Sequence, residues 1–326
     1  MTTAMPPVGY LTTNGIRMAV YEAGPVTQTP PVVLCHGFPE LAFSWRHQLR
    51  DLPGRGLRVI APDQRGYGRT ECPKAVDAYD MENLCADLVG MLDAKGIEKA
   101  VFCGHDWGGF VVWQMALRHA DRVAGVIGLN TPHGPRLPAD PIMLMRMRFG
   151  DDMYIVYFQK PGQADSVLDA DVDKAISFFM RRSEITQEMF AAAPEEQKNF
   201  ALVKALAAFT GDEPLSTPLL TPDEHKVYAD AFKHTGFTGA INWYRNFTRN
   251  WQTAEGLGDT IAAPCLMITA ENDLVLPPSM SEGMEALIPK LSRHNVLGSG
   301  HWTQQEKPDE VTRVIGDWME TTFGPS

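Results

Sequence analysis

Apolar positions along the chain fall into short runs separated by turn-forming residues. Tyr10 to Glu22 reads as two strands around Asn14-Gly15, a strong hairpin signal because both residues tolerate positive φ. Pro31 to Cys35 is a short apolar run that predicts a buried strand, running into His36-Gly37-Phe38-Pro39-Glu40. Leu41 to Leu52 reads as helix, and Arg58 to Ala61 as the next strand, followed by the loop Asp63-Gln64-Arg65-Gly66-Tyr67-Gly68. Leu84, Leu88 and Leu92 recur at helical spacing and predict a helix from Met81 to Lys95. A strand ending at Gly104, a helical run from Phe110 to Leu117 and a strand from Val123 to Leu129 follow. Strands alternating with helices predict an α/β fold whose mostly parallel sheet is covered on both faces.

The alternation stops after Asn130-Thr131-Pro132. From about residue 134 to 255 the pattern is one of helices and loops, without a convincing buried strand. Thr221-Pro222-Asp223-Glu224 combines an N-cap, a proline in the first turn and a capping-box glutamate. Gly236 would close that helix, and a second is expected from Ile241 to Trp251. Strands resume at Pro264 to Thr269 and at about Arg293 to Leu297, with a last helix from near Pro308 to about Glu320. The chain therefore reads as an α/β core, 1–133 and 256–326, interrupted by a helical cap, 134–255. The natural place for such an insertion is over the carboxyl ends of the strands, where open α/β sheets put their ligands.

With 326 residues, 44% of them hydrophobic and 21% charged, the chain has the balance of a soluble globular protein. A net charge of −11 argues against nucleic acid and anionic membrane as partners. The five cysteines are an odd count; Cys35, Cys103 and Cys265 sit in or beside apolar runs, which suits buried thiols and a reducing, cytoplasmic setting. Met1 to Tyr10 lacks the pattern of a secretory signal, and no run approaches the length of a membrane span.

The chemistry gathers at Gly104-His105-Asp106-Trp107-Gly108-Gly109. One residue juts out between glycines, after a strand and before a helix, which is the pattern of a nucleophile elbow. Here that residue is Asp106. An aspartate before a helix is also a common N-cap, so its partners decide the reading. A carboxylate with a reference pKa of about 3.9 is ionised at neutral pH, and a helix N-terminus should favour its charge further. It can attack a saturated carbon and form an ester. An acid and then a histidine should follow in chain order. Thr269-Ala270-Glu271-Asn272-Asp273 offers two acids, Glu271 and Asp273. Gly298-Ser299-Gly300-His301-Trp302 offers the base: of nine histidines, His301 lies in a glycine-flanked loop after the final strand. With a reference pKa of about 6.5 it could take a proton from water and direct that water at the ester. The backbone N–H groups of Phe38 and Trp107 are placed by motif to stabilise the resulting oxyanion. The Phe38-Pro39 turn would suit a cis bond. Asn130, after the strand that follows the elbow, cannot ionise.

His36-Gly37-Phe38-Pro39-Glu40, Asp63-Gln64-Arg65-Gly66-Tyr67-Gly68, the elbow, Tyr157-Phe158-Gln159-Lys160-Pro161-Gly162, Asn242-Trp243-Tyr244-Arg245-Asn246 and Gly300-His301-Trp302 together resemble α/β-hydrolase-fold epoxide hydrolases of the soluble type. The resemblance covers nearly the whole chain. The elbow alone is shared with haloalkane dehalogenases; the Asn-Trp-Tyr-Arg segment is far more specific. The resemblance implies conversion of a small-molecule epoxide and water to a vicinal diol, with no cofactor and no metal, by a monomer or homodimer. It implies Asp273, not Glu271, as the partner of His301. It also implies two cap tyrosines, Tyr154 and Tyr244, that donate hydrogen bonds to the epoxide oxygen. Ring opening puts charge on that oxygen, on the far side of the carbon from Asp106 and beyond the elbow's donors. Phenols with a reference pKa near 10 stay protonated at neutral pH and suit the task. Phe38, Trp107, Tyr154, Tyr244 and Trp302 are expected against the substrate.

Tyr157 reads as a core aromatic, the Arg65 loop as structural, and His105 as packing or pocket lining. Met143, Met145, Met147 and Phe149 fit a pocket or a core equally. Two other functions compete. In haloalkane dehalogenases an amide side chain often stands where this chain has Phe38, and in fluoroacetate dehalogenases an arginine stands where it has Trp107; both departures weigh against dehalogenation. A ligand-binding protein on a retired hydrolase fold is the third, against which every catalytic position carries a competent group.

Overall fold

The structure, a computed structural model, describes residues 4–324. Its strands are β1 (Val8–Thr13), β2 (Ile16–Ala23), β3 (Val32–Cys35), β4 (Val59–Pro62), β5 (Ala100–His105), β6 (Val123–Leu129), β7 (Arg181–Ser183), β8 (Ser216–Pro218), β9 (Cys265–Ala270) and β10 (Leu291–Val296). Eight of them form one sheet in the order β1-β2-β4-β3-β5-β6-β9-β10. The first two pairings are antiparallel and the rest parallel. The β1–β2 hairpin closes at Asn14 and Gly15, with φ of 42° and 75°.

The parallel strands are buried on both faces, as their continuous apolar runs require. Successive side chains alternate between the faces. Val33, Cys35, Ile60, Phe102 and Val126 pack with the helices Met81–Ala94 and Trp107–Arg118. Val32, Leu34, Val59, Val101 and Ile127 pack on the other face against Leu49, Val311 and Trp318. Removing one such side chain from water is worth about 1.5–3 kcal/mol, so two complete layers fix the sheet rigidly.

Because β3, β5, β9 and β10 are parallel, the loops that leave their carboxyl ends share one edge of the sheet. Those loops carry Phe38, Asp106, Asp273 and His301. The long segment between β6 and β9 supplies the facing surface.

Several elements differ from the sequence pattern. The elbow helix begins at Trp107, three residues before the apolar run, so Gly108 and Gly109 lie within it, while Gly104 lies in β5. Leu41 to Leu52 holds only a short α-helix, Arg46–Asp51, between tight 3-10 turns. The helix expected from Ile241 to Trp251 is two, Thr238–Arg245 and Phe247–Thr253. The break is at Asn246: its side-chain amide takes the Asn242 carbonyl (2.8 Å), the acceptor its own backbone N–H would use, and also the Val76 carbonyl (2.7 Å). The helix Pro222–Thr235 has the Thr221–Glu224 capping box and ends at Gly236, φ 66°. The inserted segment holds one small ribbon, β7 with β8, which is partly exposed.

All five cysteines are free, Cys72 exposed and the others buried. Among the described residues, no helix is long and apolar enough to cross a membrane.

Candidate active site

Asp106 stands at the turn between β5 and the following helix with φ 51° and ψ −119°. A non-glycine residue pays about 1–3 kcal/mol for such a conformation, and the surroundings must hold it. They do so by close backbone approach. A Cβ on Gly104 would come 2.1 Å from the Gly108 carbonyl oxygen, and one on Gly108 would come 2.0 Å from that of Cys35. Thr131 Oγ1 donates to the Asp106 carbonyl (2.7 Å).

The carboxylate oxygens of Asp106 have different surroundings. Oδ1 accepts the Phe38 N–H at 2.8 Å, past a cis Phe38-Pro39 bond. Oδ2 lies 3.7 Å from His301 Nε2, beyond direct hydrogen-bond range. On the far side of the ring, His301 Nδ1 donates to Asp273 Oδ2 at 2.9 Å. Asp273 is fully buried. Its Oδ1 accepts the N–H groups of Val275 (2.9 Å) and Leu276 (3.0 Å), and its Oδ2 also accepts the Asn130 side chain (2.6 Å). Glu271 is exposed and accepts the Gly298 N–H instead (2.8 Å).

Charge follows from these contacts. Burial alone would raise the Asp273 carboxyl, but His301, Asn130 and the Leu276 N–H hold it down at about 2. Burial opposes charge on His301, yet Asp273, Asp106 and Glu40 raise its pKa to about 9. His301 is therefore an imidazolium at neutral pH, contrary to what its reference value suggests. Asp106 also departs from expectation. Burial raises its pKa more than His301, His105 and the N–H groups of Phe38 and Trp107 lower it. The helix N-terminus does not make it more acidic than an exposed aspartate.

A cavity of about 390 Å³ opens above Asp106 and His301, lined also by Phe38, Tyr154, Tyr244 and Trp302. Trp302 lies edge-on to His301 (4.8 Å between centroids) and donates its indole N–H to the Phe179 carbonyl (3.0 Å). Tyr154 and Tyr244 sit edge to face at 5.7 Å. Tyr244 packs edge-on to Trp107 (5.1 Å) and Phe38 (5.3 Å). Burial, then the negative charge of Asp106, pushes the Tyr154 phenol above its usual value; burial, the Tyr154 phenol and Asp106 do the same for Tyr244. Both are proton donors at any physiological pH. A larger cavity of about 510 Å³, lined by Tyr21, Asp63, Arg69 and His234 among others, contains none of these groups.

Other candidates lie elsewhere. Met143 and Met147 are exposed, and neither they nor Met145 and Phe149 line the Asp106 cavity. Tyr157 is partly buried against the core. Arg65 pairs with buried Asp87. His105 is fully buried, between Glu40 and the His301 carbonyl. The apolar wall formed by Phe178, Phe179 and Phe209 gave no sequence signal, since aromatics at helical spacing are equally core residues. Asn130, set aside in the sequence because it cannot ionise, directly follows the strand beside the elbow strand and donates to Asp273.

Comparison with known proteins gives the family of the chain. Residues 30–308 match the family model described as alpha/beta hydrolase fold. Epoxide hydrolase A of Mycobacterium tuberculosis is 44% identical, over 94% of this chain and 95% of its own length. Bifunctional epoxide hydrolase 2 of Sus scrofa is 41% identical over 98% of this chain, but the chain spans only 58% of that protein. The crystal structure of epoxide hydrolase A from Mycobacterium thermoresistibile superposes with a TM-score of 0.85 at 42% identity, covering 96% of this chain and 98% of that one. The chain belongs to the α/β-hydrolase fold family and, within it, to the epoxide hydrolases.

Proposed function

We propose that this chain converts an epoxide and water to a vicinal diol through a covalent ester on Asp106. The observation that carries the reading is the unequal placement of the two Asp106 oxygens. Oδ1 already occupies the donor site of Phe38, while Oδ2 faces the cavity and His301. Oδ2 is then the nucleophile and Oδ1 the future ester carbonyl.

In the first step Oδ2 bonds to an epoxide carbon as that carbon's bond to the ring oxygen breaks. Tyr154 and Tyr244 hydrogen-bond the departing oxygen and pass it a proton, drawn finally from the His301 imidazolium. Two changes follow. Asp106 loses its charge, and His301 becomes neutral, with one of the charges that raised its pKa removed. In the second step neutral His301, held by Asp273, takes a proton from water. The hydroxide adds to the Asp106 carbonyl carbon, and the charge on Oδ1 is met by Phe38 and Trp107. Collapse expels the diol, whose new oxygen is the former Oδ2, and restores Asp106 carboxylate and His301 imidazolium.

The reading includes a helical cap over 134–255 above a core of 1–133 and 256–326. It describes a cytoplasmic monomer or homodimer that needs neither cofactor nor metal. Phe38, Tyr154, Tyr244 and Trp302 contact the epoxide; Trp107, expected there too, is outside the cavity lining and packs behind Tyr244. Dehalogenation by the same nucleophile is disfavoured because Phe38 turns an apolar ring, not an amide, to the leaving side. Incubation with styrene oxide and a haloalkane side by side tests the assignment. Diol without halide is expected; halide release alone, or neither product, would overturn it.

A further inference from the structure

A buried polar network joins the inserted segment to the loop that carries His301, and the mechanism above makes no use of it. Glu224, at the start of the helix Pro222–Thr235, pairs with Arg46 of the core: Arg46 Nε lies 2.8 Å from Glu224 Oε1, with side chains only 3% and 10% exposed. Arg46 Nη1 donates to Gln305 Oε1 (2.7 Å). One turn along the same helix, the Tyr228 hydroxyl reaches Ser44 Oγ (2.7 Å) and Gln305 Oε1 (3.3 Å). Gln305 Nε2 donates to Glu40 Oε1 (3.1 Å), which also accepts Gln304 Nε2 (2.8 Å).

Glu40 is fully buried. Its Oε2 accepts the Gly37 N–H (2.9 Å), next to the Phe38 N–H that holds Asp106. The same oxygen lies 2.8 Å from His105 Nδ1, and His105 Nε2 donates to the His301 carbonyl (2.7 Å). One carboxylate thus ties the oxyanion loop, the base loop and, through Gln305 and Arg46, the inserted helix.

We infer that Arg46 and Glu224 are positioning residues: seating of the inserted segment sets the position of the His301 loop. Charges this deeply buried keep their partners or move, because an unpaired ion in a dry interior is costly. If the helix Pro222–Thr235 lifts, Arg46 loses Glu224 and Gln305 Oε1 loses Tyr228. Gln305 then turns away from Glu40, and the carboxylate that fixes His105 and Gly37 loosens. Another buried ion pair, Arg245 with Asp165, lies wholly within the inserted segment and lacks this connection. It provides an internal control.

The test is Glu224→Gln, with Tyr228→Phe as a milder variant that keeps the ring. Without substrate, backbone hydrogen exchange over residues 298–303 should rise roughly 3- to 30-fold in both, and Asp165→Asn should not raise it. In single turnovers, decay of the Asp106 ester should slow by a similar factor while ester formation changes less. Glu224→Gln should add nothing further in a Gln305→Leu background, since both act through one contact. Unchanged exchange in both Glu224→Gln and Tyr228→Phe, an equal rise in Asp165→Asn, or additive effects with Gln305→Leu would overturn the inference. The kinetic arm rests on the proposed ester mechanism; the exchange arm does not, so failure of one is distinguishable from failure of the other.

Discussion

The sheet edge and the segment that faces it hold their functional groups by different means. Asp106, Asp273 and His301 lie one to five residues past the ends of parallel strands. Contacts to the backbone aim them: glycines at the elbow, N–H donors on Asp273, and the His301 carbonyl held by the His105 and Asn130 side chains. Tyr154 and Tyr244 are aimed by packing, ring against ring, with Trp107, Phe38 and Phe158. The difference divides the chemistry. In the proposed mechanism the rigid edge holds what works twice, the nucleophile and the groups that hydrolyse its ester; the packed segment holds what acts once, when the ring opens. It follows that variants on the two sides should damage different steps.

The largest effect sharpens the division least, because Asp106 serves both steps. Asp106→Ala should lower diol formation by at least about 10⁴-fold and form no ester, measured by product and by intact mass. Asp273→Asn should leave ester formation near its normal rate and slow ester hydrolysis by about 10²–10⁴-fold, the scale for removing the partner of a catalytic histidine. Glu271→Gln, an exposed residue, should do neither, and a larger second-step effect from it than from Asp273→Asn would refute the assignment. On the other side, Tyr154→Phe or Tyr244→Phe should slow ester formation by about 10–1000-fold and hydrolysis much less, with the double variant worse than either. Loss of the second step instead would erase the proposed division between edge and segment.

A smaller effect concerns pH. His301 must be neutral to activate water, and its resting pKa of about 9 includes the charge of Asp106. Ester formation removes that charge, so hydrolysis should speed up as pH rises and level off below pH 9. Asp273→Asn removes another raising charge and should move the plateau to lower pH, while reducing its height. Ester decay followed against pH checks both shifts.

Much of the edge was legible in the sequence, and for a physical reason. Continuous apolar runs ending in glycine announce buried parallel strands, and chemistry on such a sheet collects at their ends. Gly104-His105-Asp106-Trp107-Gly108 and Gly300-His301 stand at those positions whatever the rest of the chain does. The inserted segment offers no such frame. Its helices are short and pack by shape, so the broken helix at Asn246, the exposure of Met143 and Met147 and the wall of Phe178, Phe179 and Phe209 follow from tertiary contacts. Tyr154 and Tyr244 came from resemblance, not periodicity. Charge states were not legible either. Reference values suggested an acidic Asp106 and a neutral His301; burial raises the first and facing carboxylates raise the second. Glu40, a letter in a motif, proves to be the buried junction of two loops and, through Gln305, the inserted helix.

The central claim is that one oxygen of Asp106 becomes bonded to the substrate. Intact-protein mass spectrometry of His301→Gln incubated with styrene oxide tests it most directly. The account predicts an adduct of one substrate mass, located on the peptide that carries Asp106, that decays far more slowly than any ester in the unmodified enzyme. A companion single turnover of that enzyme in oxygen-18 water should give mostly unlabelled diol and leave the label on Asp106. No adduct in the His301 variant, together with diol fully labelled in the first turnover, would mean that water attacks the epoxide directly and that Asp106 is not the nucleophile.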